Sequence, residues 1–380
     1  MLEGHGISNS HPLKEIIRQL ARQCGFAQAG FAAPDAAPYS ERLPLWLAEQ
    51  RHGQMHWMER QPEQRMQPRC YQADVGTIVV LGYPYSHGRY DAGSAGIARY
   101  ACRPDYHDLL QQNMALLVER IQAVIGDAIP IRRCVDSAPL MEKPLATAAG
   151  MGWQGKNSLL VSRQFGCWLL LCELLLPLSL PADPPVQRSH CGRCQRCQQA
   201  CPTDALATPY WIDASRCLAY LTIEYKGIIP RPYRQAMATR LYGCDSCLTV
   251  CPWNRFAPVT FDADTASLEA RWQALTWMDY ATLDQDRFRQ LFGATPVARV
   301  GLKRLLRNVA VALGNCNQPD QAVPALTTLL HHPDALVRAH AVWGLGCYQA
   351  SSQQALLALQ AVAQIETAPE VREELAELER

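Results

Sequence analysis

Seven cysteines in two short runs constrain this chain more than any other feature of its sequence. The first run, CGRCQRCQQACP at 191–202, has the complete C-x2-C-x2-C-x3-C-P spacing of bacterial ferredoxins. The second run, CDSCLTVCP at 244–252, has the same ending, but Leu241 stands where its first cysteine would be. This spacing is typical of thiolates that bind four-iron–four-sulfur clusters, so the sequence predicts two clusters and an eighth ligand elsewhere.

The chain between the two runs supplies a candidate for that ligand. In two-cluster ferredoxins, the fourth cysteine of each run binds the cluster of the other run. This exchange predicts a first cysteine set that consists of Cys191, Cys194, Cys197 and Cys251. It predicts a second cysteine set that consists of Cys201, Cys217, Cys244 and Cys247. Structural zinc is the alternative use of eight cysteines, but the spacing and the repeated Cys-Pro ending favour clusters.

Composition and the remaining cysteines indicate a folded intracellular protein. The chain has 380 residues, of which 48% are hydrophobic and 19% charged, and its net charge is +1. Such a balance gives no global field for nucleic acid or membranes, although a local patch could still bind either. The N-terminus has no apolar leader, so we expect the other eight cysteines to be buried thiols rather than disulfides. They are Cys24, Cys70, Cys102, Cys134, Cys167, Cys172, Cys316 and Cys347.

The first half of the chain alternates between helical and strand-like patterns. Helices are predicted at 10–24 and 106–126, and a strand at 77–85. The most apolar run, at 167–181, is too short to span a membrane and contains Glu173, so we expect a buried strand there. This alternation predicts an α/β or α+β domain.

The last part of the chain repeats. The segment RNVAVALGN at 307–315 resembles RAHAVWGLG at 338–346, a period typical of stacked helix pairs of the HEAT type. Proline-rich residues 177–187 read as a linker before the cysteine module. The sequence therefore predicts an α+β multidomain protein with boundaries near 180 and 262.

Candidate chemistry in the first domain centres on a few polar residues. Asp136 precedes a short helical stretch, where it could cap the helix or act as a general acid. Asp105, Tyr106 and His107 cluster at a helix start, where capping is the simpler role. GMGWQGKN at 150–157 contains G-x-G-x-x-G, but a helical stretch precedes it where a nucleotide site needs a strand. We therefore expect a glycine-rich turn there.

Several segments together resemble one family, epoxyqueuosine reductase. They are VDSAPLMEKPLA, GWQGKNSLLV, RYACRPDYH, both cysteine runs and the terminal repeat, and the resemblance begins at HGQMHWM (52–58). It implies a cytoplasmic enzyme that uses cobalamin and two 4Fe-4S clusters to reduce epoxyqueuosine to queuosine in tRNA, the last step of that pathway. It implies an α/β-type cobalamin-binding catalytic domain (1–180), a two-cluster ferredoxin-like domain (181–262) and a HEAT-like, tRNA-recognising domain (263–380).

The resemblance also implies roles for individual residues. Asp136 matches the proton donor, Tyr106 and His107 match a pair near the substrate, and Lys143 stands where relatives have Arg. The residues implied to bind cobalamin are Arg65, Asp136, Asn157, Ser158, Leu160, Val161, Ser162 and Leu171. The chain departs from the family pattern at Arg103-Pro104, which replaces a glycine and a basic residue, so the turn there should differ.

The implied partners are tRNA that carries epoxyqueuosine and a low-potential electron donor, with no membrane and a monomeric enzyme. Four cations at helical spacing are predicted to contact phosphates, with a solvated helix face as the alternative; they are Arg299, Lys303, Arg304 and Arg307. Two other functions stay open. One is a corrinoid reductase of a small molecule, similar to reductive dehalogenases. The other is an electron-transfer ferredoxin fused to a scaffold, which leaves 1–180 without a role.

Overall fold

The computed structural model describes residues 10–35, 37–86, 96–126, 129–259 and 263–378. Within these ranges the strands are β1 (Gln28–Ala32), β2 (Thr77–Pro84), β3 (Arg132–Cys134), β4 (Trp153–Gln154), β5 (Leu160–Val161) and β6 (Leu169–Leu176). The helices before the cysteine module are α1 (Ser10–Gln23), α2 (Arg42–Ala48), α3 (Pro62–Met66), α4 (Pro68–Tyr71), α5 (Tyr106–Ile125) and α6 (Glu142–Ala148).

The remaining helices belong to the cysteine module and the C-terminal part. They are α7 (Arg196–Gln199), α8 (Leu218–Ile223), α9 (Arg231–Arg234), α10 (Ser246–Thr249), α11 (Ala263–Gln273), α12 (Trp277–Ala281), α13 (Gln285–Phe292), α14 (Gly301–Asn315), α15 (Pro319–Leu329), α16 (Ala335–Gly346), α17 (Gln353–Ile365) and α18 (Pro369–Leu378). Short 3-10 helices occupy His56–Glu59, Arg99–Ala101, Ala214–Arg216, Gln235–Met237, Pro252–Phe256 and Pro296–Val300. None of the described helices combines the length and apolar character needed to cross a membrane.

A four-stranded sheet in the order β1-β2-β6-β3 forms the centre of the first domain. Its two long central strands, β2 and β6, pair antiparallel from Thr77 opposite Leu176 to Pro84 opposite Leu169. The predicted strand at 77–85 and the buried strand within 167–181 are both confirmed. Because β1 and β3 also pair antiparallel, the domain is α+β, and parallel α/β pairing does not occur in the described sheet.

Helices cover both faces of this sheet. Side chains of β6 alternate, so Cys172 and Leu174 pack with the apolar face of α1 and α5, while Leu171 and Leu175 pack toward α6. Glu173 lies between Leu171 and Leu175 on the α6 side, and it is fully buried. The sheet thus places the start of α6 and the end of β3 above one buried carboxyl group.

The proline-rich stretch after β6 contains neither helix nor strand, as a linker should, but it is fastened to the first domain. Asp183 pairs with Lys14 at 2.7 Å and with Arg18 at 2.6 Å, and its other oxygen accepts from the Phe31 N–H at 2.9 Å. These contacts fix the path by which the chain enters the cysteine module.

The C-terminal helices pack on one another, and their core is continuous with the cysteine module. Helix α14 packs against α16 so closely that a Cβ on Gly344 would lie 3.0 Å from the Ala310 carbonyl oxygen. Asn308 on α14 donates to the carbonyls of Thr222 and Leu241 at 2.9 and 2.8 Å. The helix pairs therefore pack on the module rather than stand alone. The predicted boundary at 262 falls among residues 260–262, outside the described part of the chain.

Candidate active site and cluster ligands

A cavity of about 330 Å³ opens between the first domain and the cysteine module. Its apolar wall includes Leu43, Trp46, Trp57, Met58, Leu140 and Met141, and its polar lining includes Arg42, Arg65, Asp136, Glu142, Lys143, Gln154 and Ser158. Four residues implied by the resemblance, Arg65, Asp136, Lys143 and Ser158, thus come together although they are far apart in sequence. We call this space the large cavity, to distinguish it from a small cavity of about 50 Å³ beside the first cysteine set; surface grooves elsewhere on the molecule are larger.

The lining of the large cavity contains buried polar atoms that lack partners. Among the described residues, Arg65 Nε, Gln154 Oε1 and Ser158 Oγ are buried without a hydrogen bond. Unpartnered polar atoms are costly in a folded chain, so three in one cavity indicate a bound group with donors and acceptors at its edge. A corrin has an apolar ring and peripheral amides, and this combination of apolar wall and unpartnered polar atoms fits it.

Asp136 lies on the loop between β3 and α6. Its backbone has φ +50, a left-handed conformation that Asp tolerates better than most residues. The Asp136 N–H donates to Glu142 Oε1 at 2.8 Å, which holds the loop in this shape. The capping role considered for Asp136 is wrong, because the N-cap of α6 is Met141 and the Asp136 carboxylate bonds to other groups.

The Asp136 carboxylate belongs to a hydrogen-bonded group at the start of α5. Its Oδ2 accepts from the Tyr106 hydroxyl at 2.9 Å and lies 3.2 Å from His107 Nε2. Asp105 caps α5 by accepting from the His107 N–H, and its Oδ1 is 2.7 Å from His107 Nδ1. Asp105 therefore caps α5, as the sequence suggested, and the first residues of α5 place Tyr106 and His107 against Asp136.

These contacts decide where a proton resides. Hydrogen bonds with Asp105 and Asp136 raise the pKa of His107 to about 9. The hydrogen bond with His107 lowers the pKa of Asp136 to about 2, although burial opposes the shift. The hydrogen bond with Tyr106 and the charge of Lys143 contribute to this lowering. Burial and the Asp136 carboxylate raise the pKa of Tyr106. At neutral pH, therefore, His107 carries the proton and Asp136 is ionised.

Arg299, predicted as a phosphate contact, lies instead beside this group. It belongs to the 3-10 helix Pro296–Val300, and its Nη1 is 3.8 Å from Asp136 Oδ2. Its Nη2 is 3.9 Å from Glu224 Oε1 in the cysteine module. One side chain of the C-terminal domain therefore contacts both other domains at the acid residue. Sequence reasoning missed this position because it depends on how the domains pack.

Two further carboxyl groups lie behind Asp136 and were not among the predicted site residues. Burial, opposed by Lys143 and reinforced by Asp136, raises the pKa of Glu142 to about 7. Burial and the nearby Glu142 raise the pKa of Glu173 well above its usual range. Both oxygens of Glu173 lack a hydrogen-bond partner among the described residues. The signal available in the sequence was the single acidic residue inside LLLCELLL.

The other residues implied to bind cobalamin have side chains outside the large cavity. Asn157 and Val161 line a small cavity beside the first cysteine set, Ser162 bonds within its own turn, and Leu160 and Leu171 are buried in the core. These five side chains do not line the large cavity, and their assignment to cobalamin stays a prediction. Segment 154–161 instead separates the two cavities, with Gln154 and Ser158 on one side and Asn157 and Val161 on the other.

The first cysteine set is brought together as the spacing predicts. Cys191, Cys194, Cys197 and Cys251 line the same small cavity. Lys156 Nζ donates to the carbonyls of Gly192 and Cys194, each at 2.9 Å, and so ties the first domain to the loop that carries these cysteines.

The second set also converges, and Cys217 belongs to it. Burial raises the pKa of the Cys217 thiol to about 11, opposed by backbone N–H groups and reinforced by the neighbouring Cys244 and Cys201. Burial raises the pKa of Cys247, with Cys217 and Cys244 as the nearest contributing thiols. The segment between the runs therefore returns Cys217 to the other three.

The spread of the sulfur atoms excludes compact zinc sites. Four thiolates on one zinc ion at about 2.3 Å lie only about 3.8 Å apart. Among the described residues, no three cysteine sulfurs lie within 4.8 Å of one another; the only potential metal ligands so close are His52, His56 and Glu59. There Glu59 already pairs with His52 at 2.7 Å. Neither cysteine set therefore holds its sulfurs at the spacing of a zinc site.

Two sets of sequence expectations need correction. Arg307 is fully buried, and its guanidinium donates to the carbonyls of Leu221, Tyr225 and Gly227, so it cannot contact a phosphate. Arg304 donates to three carbonyls as well, whereas Lys303 is exposed and lies 3.1 Å from Asp334. Of the eight cysteines expected to be buried, Cys70 and Cys347 are exposed.

Comparison with known proteins agrees with this geometry. Family profiles match residues 65–137 ("Epoxyqueuosine reductase QueG, DUF1730"), 190–254 ("4Fe-4S double cluster binding domain") and 302–378 ("HEAT repeats"). Epoxyqueuosine reductase of Xanthomonas campestris pv. campestris is 40% identical over 345 residues, which are 87% of this chain and 94% of that protein. The Escherichia coli (strain K12) enzyme is 36% identical over 88% of this chain and 89% of its own length.

Solved structures give the same result. An epoxyqueuosine reductase in complex with an epoxyqueuosine-modified tRNA-Tyr stem loop superposes with a TM-score of 0.88 at 27% identity, and covers 97% of this chain and 98% of its own. The Bacillus subtilis epoxyqueuosine reductase, with its catalytic aspartate loop swung out of the active site, has a TM-score of 0.85 at 27% identity and covers 97% and 99%. The chain belongs to the epoxyqueuosine reductase family.

Proposed function

We propose that this chain reduces epoxyqueuosine to queuosine in the anticodon loop of tRNA, with cobalamin in the large cavity and a 4Fe-4S cluster on each cysteine set. One observation carries the proposal. Segment 154–161 lies between two parts of the site. On one side are the large cavity and the group of Asp136, Tyr106 and His107, and on the other side is the first cysteine set. Only a few residues therefore separate the proposed proton source from the proposed electron source.

The reaction requires both sources. When an epoxide becomes an alkene, two C–O bonds break, two electrons arrive, and two protons leave with the oxygen as water. Side chains do not supply electrons, so bound clusters and a bound corrin would have to supply them. Arg65, Gln154 and Ser158 would hold the corrin edge with the polar atoms that lack partners. Trp46, Trp57 and Met58 would pack on its ring.

The chain's own residues manage the first proton. His107 holds it at neutral pH, and the Asp136 carboxylate lies between His107 and the large cavity. Asp136 therefore receives the proton from His107 Nε2 and passes it to the departing oxygen, as general acid catalysis requires. A Bacillus subtilis relative has a catalytic aspartate loop that can swing out of its active site. The strained loop of Asp136 is the corresponding element in our proposal.

Substrate and partners follow from the same reasoning. The tRNA stem loop bound by a solved relative supports a tRNA substrate, whose unpaired bases can be splayed into a cavity. We infer that Lys303, which is exposed, faces the tRNA from the 263–380 domain. We also infer a cytoplasmic monomer that accepts electrons from a low-potential donor, and domain limits of 1–180 and 181–262.

Anaerobic turnover tests the proposal. The protein is reconstituted with iron, sulfide and cobalamin, reduced, and mixed with an epoxyqueuosine-containing stem loop. We expect queuosine as product, one per enzyme in a single turnover, and no reaction with cobalamin omitted. A fully reduced preparation that binds cobalamin but leaves the epoxide intact would overturn the proposal. An electron-transfer protein alone would accept and release electrons without any requirement for cobalamin, and it would leave the large cavity without a role.

A further inference from the structure

The reaction consumes two protons, but the group around His107 and Asp136 holds one at neutral pH. After Asp136 has given up that proton, Asp136 needs a second proton to pass on before the oxygen can leave as water. A source is therefore required within reach of Asp136. The inference that follows rests on the proposed function and concerns the origin of this second proton.

Glu142 is placed to reach Asp136. It is the first residue of α6, its Oε1 accepts from the Asp136 N–H at 2.8 Å, and both side chains line the large cavity. Glu142 thus holds the loop of Asp136 and shares its solvent space. A proton on Glu142 would have a short path to the Asp136 carboxylate through that space.

Glu173 extends this arrangement into the core. It pairs in the sheet with Val80 of β2 and Cys134 of β3, and its side chain points toward α6 from the centre of β6. It is fully buried, and neither of its oxygens has a hydrogen-bond partner among the described residues. A carboxylate in that position would be an unpaired buried charge, so Glu173 is a neutral acid at neutral pH.

We propose that Glu142 and Glu173 form a proton store behind Asp136, which returns a proton to Asp136 after Asp136 has protonated the departing epoxide oxygen. The transfer breaks an O–H bond on Glu142 and forms one on Asp136, and it moves no electrons. The negative charge passes from Asp136 to Glu142, while the buried Glu173 beneath it stays a neutral acid. Water in the open cavity restores the lost proton after product release. Neither glutamate needs to touch the substrate, so both act as positioning residues for Asp136.

The direction of transfer depends on His107. The hydrogen bond with charged His107 is the main reason that the pKa of Asp136 lies near 2, so Asp136 can take a proton from Glu142 only after His107 has given up its own. Lys143 on α6 stabilises the carboxylate that forms, while the Asp136 charge opposes ionisation of Glu142 until Asp136 is protonated. From β3, Cys134 contributes no charge because burial raises the pKa of its thiol to about 12. Glu142 therefore releases its proton near pH 7, where the Glu142 pKa lies.

Glu142→Gln tests the store with little change in shape. Gln keeps an oxygen that can accept from the Asp136 N–H, but it cannot give up a proton. In single turnovers by the pre-reduced holoenzyme, we expect the parental rate to fall as pH rises through about 7. Glu142→Gln should lose that break and be about 10²-fold slower at pH 6, the lower end of the range for a positioned acid. A parental rate with the same break in Glu142→Gln would overturn the proposal.

An infrared measurement tests Glu173 without turnover. At pH 8 the holoenzyme should show the C=O band of a buried carboxylic acid, and Glu173→Leu should lack it while Glu374→Gln, a control at an ion-paired carboxylate, keeps it. Glu173→Leu should also fold and bind both cofactors, because LLLCELLL then becomes uniformly apolar. A band that persists in Glu173→Leu would overturn the proposal. If the parent enzyme reduces epoxyqueuosine while both glutamate variants match it, only the store fails; if the parent itself makes no queuosine, the proposed function fails.

Discussion

Two buried glutamates, one in the first domain and one in the C-terminal domain, differ in whether their charge is paired. Glu374 on α18 is buried and fully paired, since Arg234 donates to both of its oxygens at 2.9 and 2.5 Å and Arg231 adds a contact at 2.7 Å. Glu173 on β6 is more deeply buried and has no hydrogen-bond partner among the described residues. The first arrangement joins the last helix to the cysteine module, and the second lies under the acid residue.

The same difference extends to whole regions. In the C-terminal domain Arg307, buried without a carboxylate, still donates to three carbonyls and to Asn308. In the first domain and the cysteine module, the unpartnered atoms include Arg65 Nε, Gln154 Oε1 and Ser158 Oγ, beside eight converging thiols. Buried polar groups normally have hydrogen-bond partners within the protein. Buried groups without such partners therefore indicate the places where a cofactor binds or a proton is held.

The largest effect is expected at the cluster ligands. Cys217→Ser removes one thiolate from the second cysteine set and leaves the first intact, so iron should fall from about eight to about four per chain. Turnover with an external reductant should be lost, because electrons no longer pass through both clusters. Cys316→Ser, at a buried cysteine outside both sets, is the control and should retain all the iron. Unchanged iron and cluster spectra in Cys217→Ser would disprove the ligand assignment.

Asp136→Asn should come next in size. Asn can still accept from Tyr106, but it cannot carry a proton from His107 to the substrate. The rate of a single turnover should fall by about 10²–10⁴, the range for loss of general acid catalysis, with cluster content, cobalamin and tRNA affinity retained. Pre-reduction of the enzyme keeps electron delivery from limiting the rate. A rate within a few-fold of the parent would make Asp136 a structural residue and direct attention to Tyr106 and His107.

The His107 proton predicts a limb in the pH profile. Its pKa in the folded protein, about 9, lies above the usual value for imidazole. The group is therefore protonated below pH 9, and its pairing with Asp105 and Asp136 is lost as pH rises through 9. We expect the single-turnover rate, which already falls above about pH 7 as Glu142 ionises, to steepen by a further factor of about ten per unit above that pH. The limb should disappear in His107→Gln, and a parental profile that stays flat to pH 10 would contradict the assignment.

The smallest effect is expected on the exposed cations. Lys303→Gln removes one charge from the face inferred to meet tRNA, so the slope of log affinity against log salt should decrease by roughly 0.7–0.9. Arg289→Gln removes another exposed, ion-paired charge from α13 and serves as the control. The comparison is made by tRNA titration at several salt concentrations. Equal slopes for the two variants would remove Lys303 from the interface.

Much of this architecture could be predicted from local sequence patterns. Cysteine spacing predicted both ligand sets, including Cys217. Local sequence patterns predicted α1, β2 and α5 within one residue and placed β6 within the apolar run 167–181. Each of these follows from contacts along the chain or from the geometry of one motif. The polar cluster at the start of α5 was also visible, because capping residues stand next to the helix they cap.

What could not be predicted depends on how domains meet. Arg299, Lys303, Arg304 and Arg307 share a helical spacing, yet Arg299 lies beside Asp136, Arg307 is buried against 221–227, and Lys303 is exposed beside Asp334. Helical spacing shows which residues share a face but not what covers it. The same limit applies to Asn157 and Val161, which face the clusters rather than the large cavity because segment 154–161 lies between the two.

The most direct test compares Glu173→Leu with Glu374→Leu in one preparation, by denaturant unfolding and by single turnover. Glu374→Leu leaves Arg234 buried without its counter-charge and should cost about 3–5 kcal/mol of stability, while the folded fraction retains the parental rate. Glu173→Leu removes an unpaired buried acid and should gain about 1–3 kcal/mol, yet reduce epoxyqueuosine more slowly. The opposite result, with Glu173→Leu destabilised as much as Glu374→Leu and fully active, would contradict the account.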